Sequence, residues 1–147
     1  MNLETFKKEL LETGESTFFP LTGKGKRKTG YMCHISGHEK FVPLNEFSID
    51  TVSEYISNRP GVWYKHQCVS GVIVDGGVFL LTLARIKNLE EACYVGSIND
   101  SHAIFDIARD QEVFLHSPQK TGTETQKRDY NKVQANKVAQ DYMNSLN

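Results

Sequence analysis

At 147 residues the chain has the length of a single domain with a sizeable buried core. A hydrophobic share of 39% and a charged share of 24% are close to ordinary globular values, and a formal net charge of -1 excludes a bulk polyelectrolyte as the default partner while leaving room for a local basic patch. No apolar run approaches the roughly 18 residues of a membrane span, and the first residues lack the basic start and apolar stretch of a signal peptide, so no membrane association is expected. Cys33, Cys68 and Cys93 cannot all pair with one another, and free thiols in a reducing cytoplasm are the simplest expectation.

Leu3, Phe6, Leu10 and Leu11 recur at helical spacing, and Gly14 is placed to end that helix. Phe18, Phe19 and Leu21 predict a short strand that Pro20 confines to an edge. After a loop over 22–30, residues 31–35 and 41–44 read as two strands joined across Ser36, Gly37, His38 and Glu39. Ser48 is the predicted N-cap of a helix carrying Ile49, Val52, Tyr55 and Ile56, which Pro60 and Gly61 stop. Residues 62–66, 69–74 and 78–86 are strand-like, and Asp75-Gly76-Gly77 is the clearest hairpin turn in the chain. Leu89, Ala92, Cys93 and Ile98 share one helical stripe while Glu90, Glu91 and Asn99 face water. Asn99, Asp100 and Ser101 break that helix, residues 103–107 alternate as a strand, Arg109-Asp110-Gln111 turns the chain, and residues 113–115 return.

Adjacent strands are mostly joined by turns too short for parallel crossovers. The expected fold is α+β: a mainly antiparallel sheet with the helices at 49–56 and 89–98 packed on one face, an N-terminal helix and a C-terminal amphipathic helix. Residues 1–116 form the expected domain. Residues 117–128 are polar and read as a linker, and the helix that follows carries Tyr130, Val133, Val138, Tyr142, Met143 and Leu146 at roughly helical spacing. That helix either packs back on its own domain or seeks a partner. In the second case Tyr130, Val133, Val138, Tyr142 and Leu146 form a partner-binding tail, with homo-oligomerisation through this helix as one form of it.

Lys24, Lys26, Arg27 and Lys28 crowd four positive charges into one loop. A phosphate-binding P-loop needs Gly-Lys followed by Ser or Thr and then a helix, whereas Gly25-Lys26 is followed by Arg27 and a strand. The remaining readings are a solvated loop, a grip on nucleic-acid backbone, or an acidic protein surface. Cys33, His34, His38, His66 and Cys68 have a spacing that matches no common zinc cluster, and Cys33 and His34, adjacent in a strand, should point to opposite faces. No nucleophile–base pair is assembled, so no catalytic residue, metal or cofactor is assigned. Asp106, Asp110 and Glu112 alternate along the last hairpin and read as a solvated acidic face. From residue 88 to 112 there are six acidic residues against one Arg, a polarity relative to the basic loop that fits oriented docking to another macromolecule.

GYMCHISGHEKFVPLNEF, VWYKHQ and VFLLTLARIKNLEEACYVGSINDSHAIFDI together resemble a small α+β domain of large phage and mobile-element polyvalent proteins. In that family a Gly-Tyr strand leads to a Pro-Leu segment, then to a strand and helix with a Leu…Glu-Ala pattern, then to an Ala-Ile-Phe-Asp strand. The matching positions here are Gly30-Tyr31, Pro43-Leu44, residues 89–99 and residues 103–106. The resemblance covers most of residues 30–115 and rests on scaffold residues, and the family domain usually sits within a far longer protein. It implies a phage or mobile-element origin and a non-catalytic accessory role, in the host cytoplasm or the virion. The expected function is protein–protein binding, as inhibitor of a host factor or as a virion-associated protein. Alternatives are a nucleic-acid-binding protein using the basic loop and a virion structural component.

Overall fold

The computed structural model describes residues 2–59, 61 and 63–146. Its elements in chain order are α1 (Leu3–Thr13), β1 (Glu15–Phe18), β2 (Tyr31–Pro43), a 3-10 turn (Leu44–Glu46), α2 (Ile49–Asn58), β3 (Gln67–Val74), β4 (Gly77–Ile86), α3 (Leu89–Ile98), β5 (Ala103–Asp106), β6 (Gln111–Phe114) and α4 (Glu124–Ser145). Six strands hydrogen-bond in the order β1-β3-β4-β2-β5-β6, and the fold is α+β with an antiparallel sheet. By contacts the chain divides into two compact units, Met1–Lys26 with Ile35–Ala84 and Arg27–His34 with Arg85–Asn147.

In the first unit the local signals act as read. Asn2 caps α1 by accepting the Thr5 amide at 2.8 Å, and Gly14 closes the helix at φ +89°. Ser48 and Thr51 form a reciprocal capping box at the start of α2. Asp75 and Gly76 both have positive φ, the requirement of the two-residue turn that joins β3 to β4. Phe6 and Leu10 of α1, Val52 and Tyr55 of α2, and Val69, Val78 and Leu80 of the sheet build one core. Burying a side chain of this size stabilises by roughly 1.5–3 kcal/mol. A Cβ on Gly71 would lie 3.1 Å from the Phe6 ring, so the bare strand lets α1 sit close to β3.

Two expected hairpin features are absent. Residues 31–35 and 41–44 are not separate strands but the ends of the 13-residue β2, with Gly37 at φ +90° as a bend inside it. The start of β2 pairs with β5, so nothing requires the chain to fold back on itself. The strand expected over 62–66 is a turn where it is described. The Gln67 amide donates to the Tyr64 carbonyl and the Gln67 side chain accepts from the Tyr64 amide, which uses the groups a ladder would need. Pro60 and Val62, the expected stop of α2 and start of that strand, lie outside the described residues. The first strand is also displaced. It covers Glu15–Phe18, and Leu21 is exposed in a turn closed by the Phe19 amide on the Lys24 carbonyl.

The second unit packs by small residues. α3 buries Ala92, Cys93, Gly96 and Ser97, and the expected stripe residue Ile98 is exposed. α4 packs along α3 and buries Asn131, Ala135 and Ala139. It starts at Glu124, where Thr123 and Gln126 form a second capping box, so the helix takes over several residues read as linker. At Gly96 α3 runs close against its neighbours: a Cβ there would come within 2.6 Å of Ile104 Cγ2 and 2.7 Å of Leu115 Cδ1. Helix propensity favours Ala over Gly by about 1 kcal/mol, whereas overpacking a tight core costs about 1–3 kcal/mol. Ile104 is buried and cannot give way, so Gly96→Ala is expected to lower the midpoint of thermal unfolding. A raised midpoint would show that the contact relaxes at no cost.

Candidate functional site at the β6 edge and α4

The organising residue of the second unit is Asp106, the last residue of β5, whose carboxylate is 2% exposed. It shares the inward parity of Ile104 and stands opposite Gln111 on β6 and Tyr31 on β2. Its Oδ2 accepts the Tyr142 hydroxyl of α4 at 2.7 Å and Arg109 Nη1 at 3.1 Å, and its Oδ1 accepts the Arg109 amide at 3.3 Å. The Tyr142 oxygen in turn accepts from Gln111 Nε2 at 2.8 Å. Burial works against ionisation of Asp106, but the Tyr142 and Arg109 hydrogen bonds overcome it and hold the carboxyl below its ordinary range. Burial, and then the carboxylate beside it, push the Tyr142 phenol up. Asp106 is therefore a paired structural charge and not, as the alternation of acids predicts, part of a solvated face.

Near the other end of α4, the buried Asn131 accepts the Gln119 amide at 3.0 Å, and Tyr130 meets His116 edge-on at 6.5 Å. These contacts fix a helix whose inner face is Asn and Ala rather than Leu. The residues named from spacing are consequently split. Val138, Tyr142 and Leu146 are half-buried, whereas Tyr130 and Val133 are exposed. At about 100° per residue, Val133 and Val138 lie about 140° apart around the helix, too far to share a narrow stripe.

Val138 and Tyr142 are brought together with Asp141 and with Glu112, Val113 and Phe114 of β6 around an open groove of about 290 Å³. β6 ends the sheet. The Leu115 amide donates to the His102 carbonyl, and with the β5–β6 register this makes 104/113 and 106/111 the hydrogen-bonded pairs. The N–H and C=O groups of Glu112 and Phe114 thus face away from β5. Phe114 is 72% exposed, the most exposed large apolar side chain among the described residues. Sequence reading marked residues 113–115 as a strand, but an edge position depends on strand order, which no local signal carries.

The basic loop is held at its ends. The Phe19–Lys24 bridge closes one, and at the other Arg85 donates from Nε to the Thr29 carbonyl at 2.6 Å and from Nη2 to the Thr29 hydroxyl at 3.1 Å. Lys24, Lys26 and Lys28 are exposed and Arg27 is half-buried. Cys33, Cys68 and Cys93 are free and buried, and burial pushes each thiol up to about 12, which keeps them protonated and unreactive at neutral pH. Among the described residues no three His, Cys, Asp or Glu side chains gather as a metal set, and no helix is long and apolar enough to cross a membrane.

No protein-family model, curated protein or solved structure matches the chain.

The Asp106 cluster has a defined pH signature. With its folded pKa below the unfolded value, its stabilisation is fully present above the ordinary carboxylate range of about 4 and is lost as pH falls through the folded pKa. Tyr142→Phe removes one hydrogen bond to a charge and is expected to cost about 1–3 kcal/mol at pH 7. In urea unfolding the gap from wild type should shrink in acid, where Asp106 protonates in both proteins. A gap independent of pH would mean that the tyrosine hydroxyl acts on something other than the carboxylate.

Proposed function

We propose that the protein is a non-catalytic accessory protein of a phage or mobile element that acts by binding another protein, as host-factor inhibitor or virion-associated module. The observation that carries this reading is Phe114, a large aromatic side chain held in solvent on a sheet-edge strand beside an open groove. Exposed apolar residues scattered singly are normal, but an aromatic at an edge that also offers unpaired backbone groups is the chemistry of a contact surface. Rigid support favours the same reading, since the Asp106 cluster fixes β6 and α4 relative to each other. The test is a pull-down from host lysate with the tagged chain, with and without nuclease. Wild type should retain a protein after nuclease treatment, and Phe114→Asp should retain less. Capture that disappears with nuclease would overturn protein binding as the function.

A second reading, nucleic-acid binding, is favoured by the exposed Lys24, Lys26 and Lys28 on a loop pinned at its ends. If it holds, changing Lys24, Lys26, Arg27 and Lys28 to Ala abolishes binding to a labelled duplex and flattens its salt dependence. Unchanged affinity at low salt would remove this reading.

A further inference from the structure

We propose that β6 takes up an extended segment of a partner protein as an added strand, and that this segment carries alternating basic and apolar side chains. The proposal rests on the protein-binding reading and gives it a mode and a chemistry. Glu112 and Phe114 turn their backbone donors and acceptors outward from the last strand of the sheet, so a strand laid alongside meets a ready row of partners. Side chains of such a strand alternate between two sides. On one side they meet Val138 and Asp141 of α4, and on the other Phe114 and Glu112. Each side therefore offers an apolar surface and a carboxylate. Among the described residues no Lys or Arg lines the groove, and Asp106, the nearby acid that is neutralised, is already paired with Arg109.

Size and charge disfavour the other occupants. At about 290 Å³ the groove is at the lower edge of the roughly 300–1,000 Å³ of small-molecule sites and is open to solvent, so it would bury little of a compact ligand, whereas strand addition needs only pockets for alternate side chains. A second copy pairing β6 to β6 would bring two acidic grooves, each holding Glu112 and Asp141, side by side, and like charges across a strand pair are unfavourable. Nucleic-acid backbone is repelled by the same acids.

The test uses the whole chain and a fluorescein-labelled hexapeptide of alternating Lys and Val, read by anisotropy, with hydrogen exchange at the Glu112 and Phe114 amides. The peptide should bind and protect both amides. An alternating Glu and Val peptide, and a Lys and Val peptide N-methylated along one edge, should bind at least ten-fold more weakly. Phe114→Ala and Asp141→Lys should each weaken binding several-fold without changing the melting temperature, because both side chains are exposed. Absence of binding, equal binding of the N-methylated peptide, or protection of other amides would overturn strand addition. So would protection of Glu112 and Phe114 that appears on concentrating the chain alone, since it identifies a second copy as the occupant. A protein captured in the pull-down equally well by wild type and Phe114→Asp would also overturn strand addition while leaving protein binding as the function.

Discussion

A carboxylate buried as deeply as that of Asp106 costs several kcal/mol of lost hydration. The Tyr142 hydroxyl and the Arg109 amide donate to it at the buried end, and the exposed Arg109 guanidinium adds a solvent-screened pairing, so together they offset that cost without a large surplus. The value of the arrangement lies in specificity. A one-residue slip between β5 and β6 would carry Asp106 to the opposite face, away from Tyr142, and strand the charge. A slip or rotation of α4 would do the same from the other direction. One charge thus ties the register of a hairpin of two four-residue strands to the seating of a 22-residue helix.

The two units achieve packing by different means. The first uses large interdigitating side chains such as Phe6, Leu10, Leu80 and Tyr55, where area removed from water supplies the driving force. The second uses Gly96, Ala92, Ala135 and Ala139, which bury little area each but let helix and strand backbones approach closely. Close approach leaves no tolerance for added atoms, and it compensates a small apolar harvest with dense contact and with polar ties at Asn131 and Asp106.

Features encoded within a few residues were legible from the sequence: the Gly14 stop, the Ser48 N-cap, the Asp75-Gly76 turn and the span of α3. What escaped depends on partners distant in the chain. Gly37 looks like a turn residue, yet it bends a single strand whose beginning pairs with β5. Asp106 reads as a solvated acid beside the exposed Asp110 and Glu112, although its parity with Ile104 points inward. The inner face of α4 escaped because small and polar residues, Asn131, Ala135 and Ala139, do the packing while Val133 stands outside. Of the groove, helical spacing points to Val138 and Tyr142, but Phe114 and the β6 edge depend on strand order.

The three sealed cysteines give the chain an internal clock for its own breathing. Cys68 lies in one compact unit and Cys33 and Cys93 in the other, all without solvent exposure. A thiol reagent reaches a buried sulfur only when the surrounding structure opens. Labelling of Cys68 therefore times the opening of the first unit, and labelling of Cys33 or Cys93 that of the second. The native sequence, with no introduced probe, separates concerted unfolding from the independent loosening of either half.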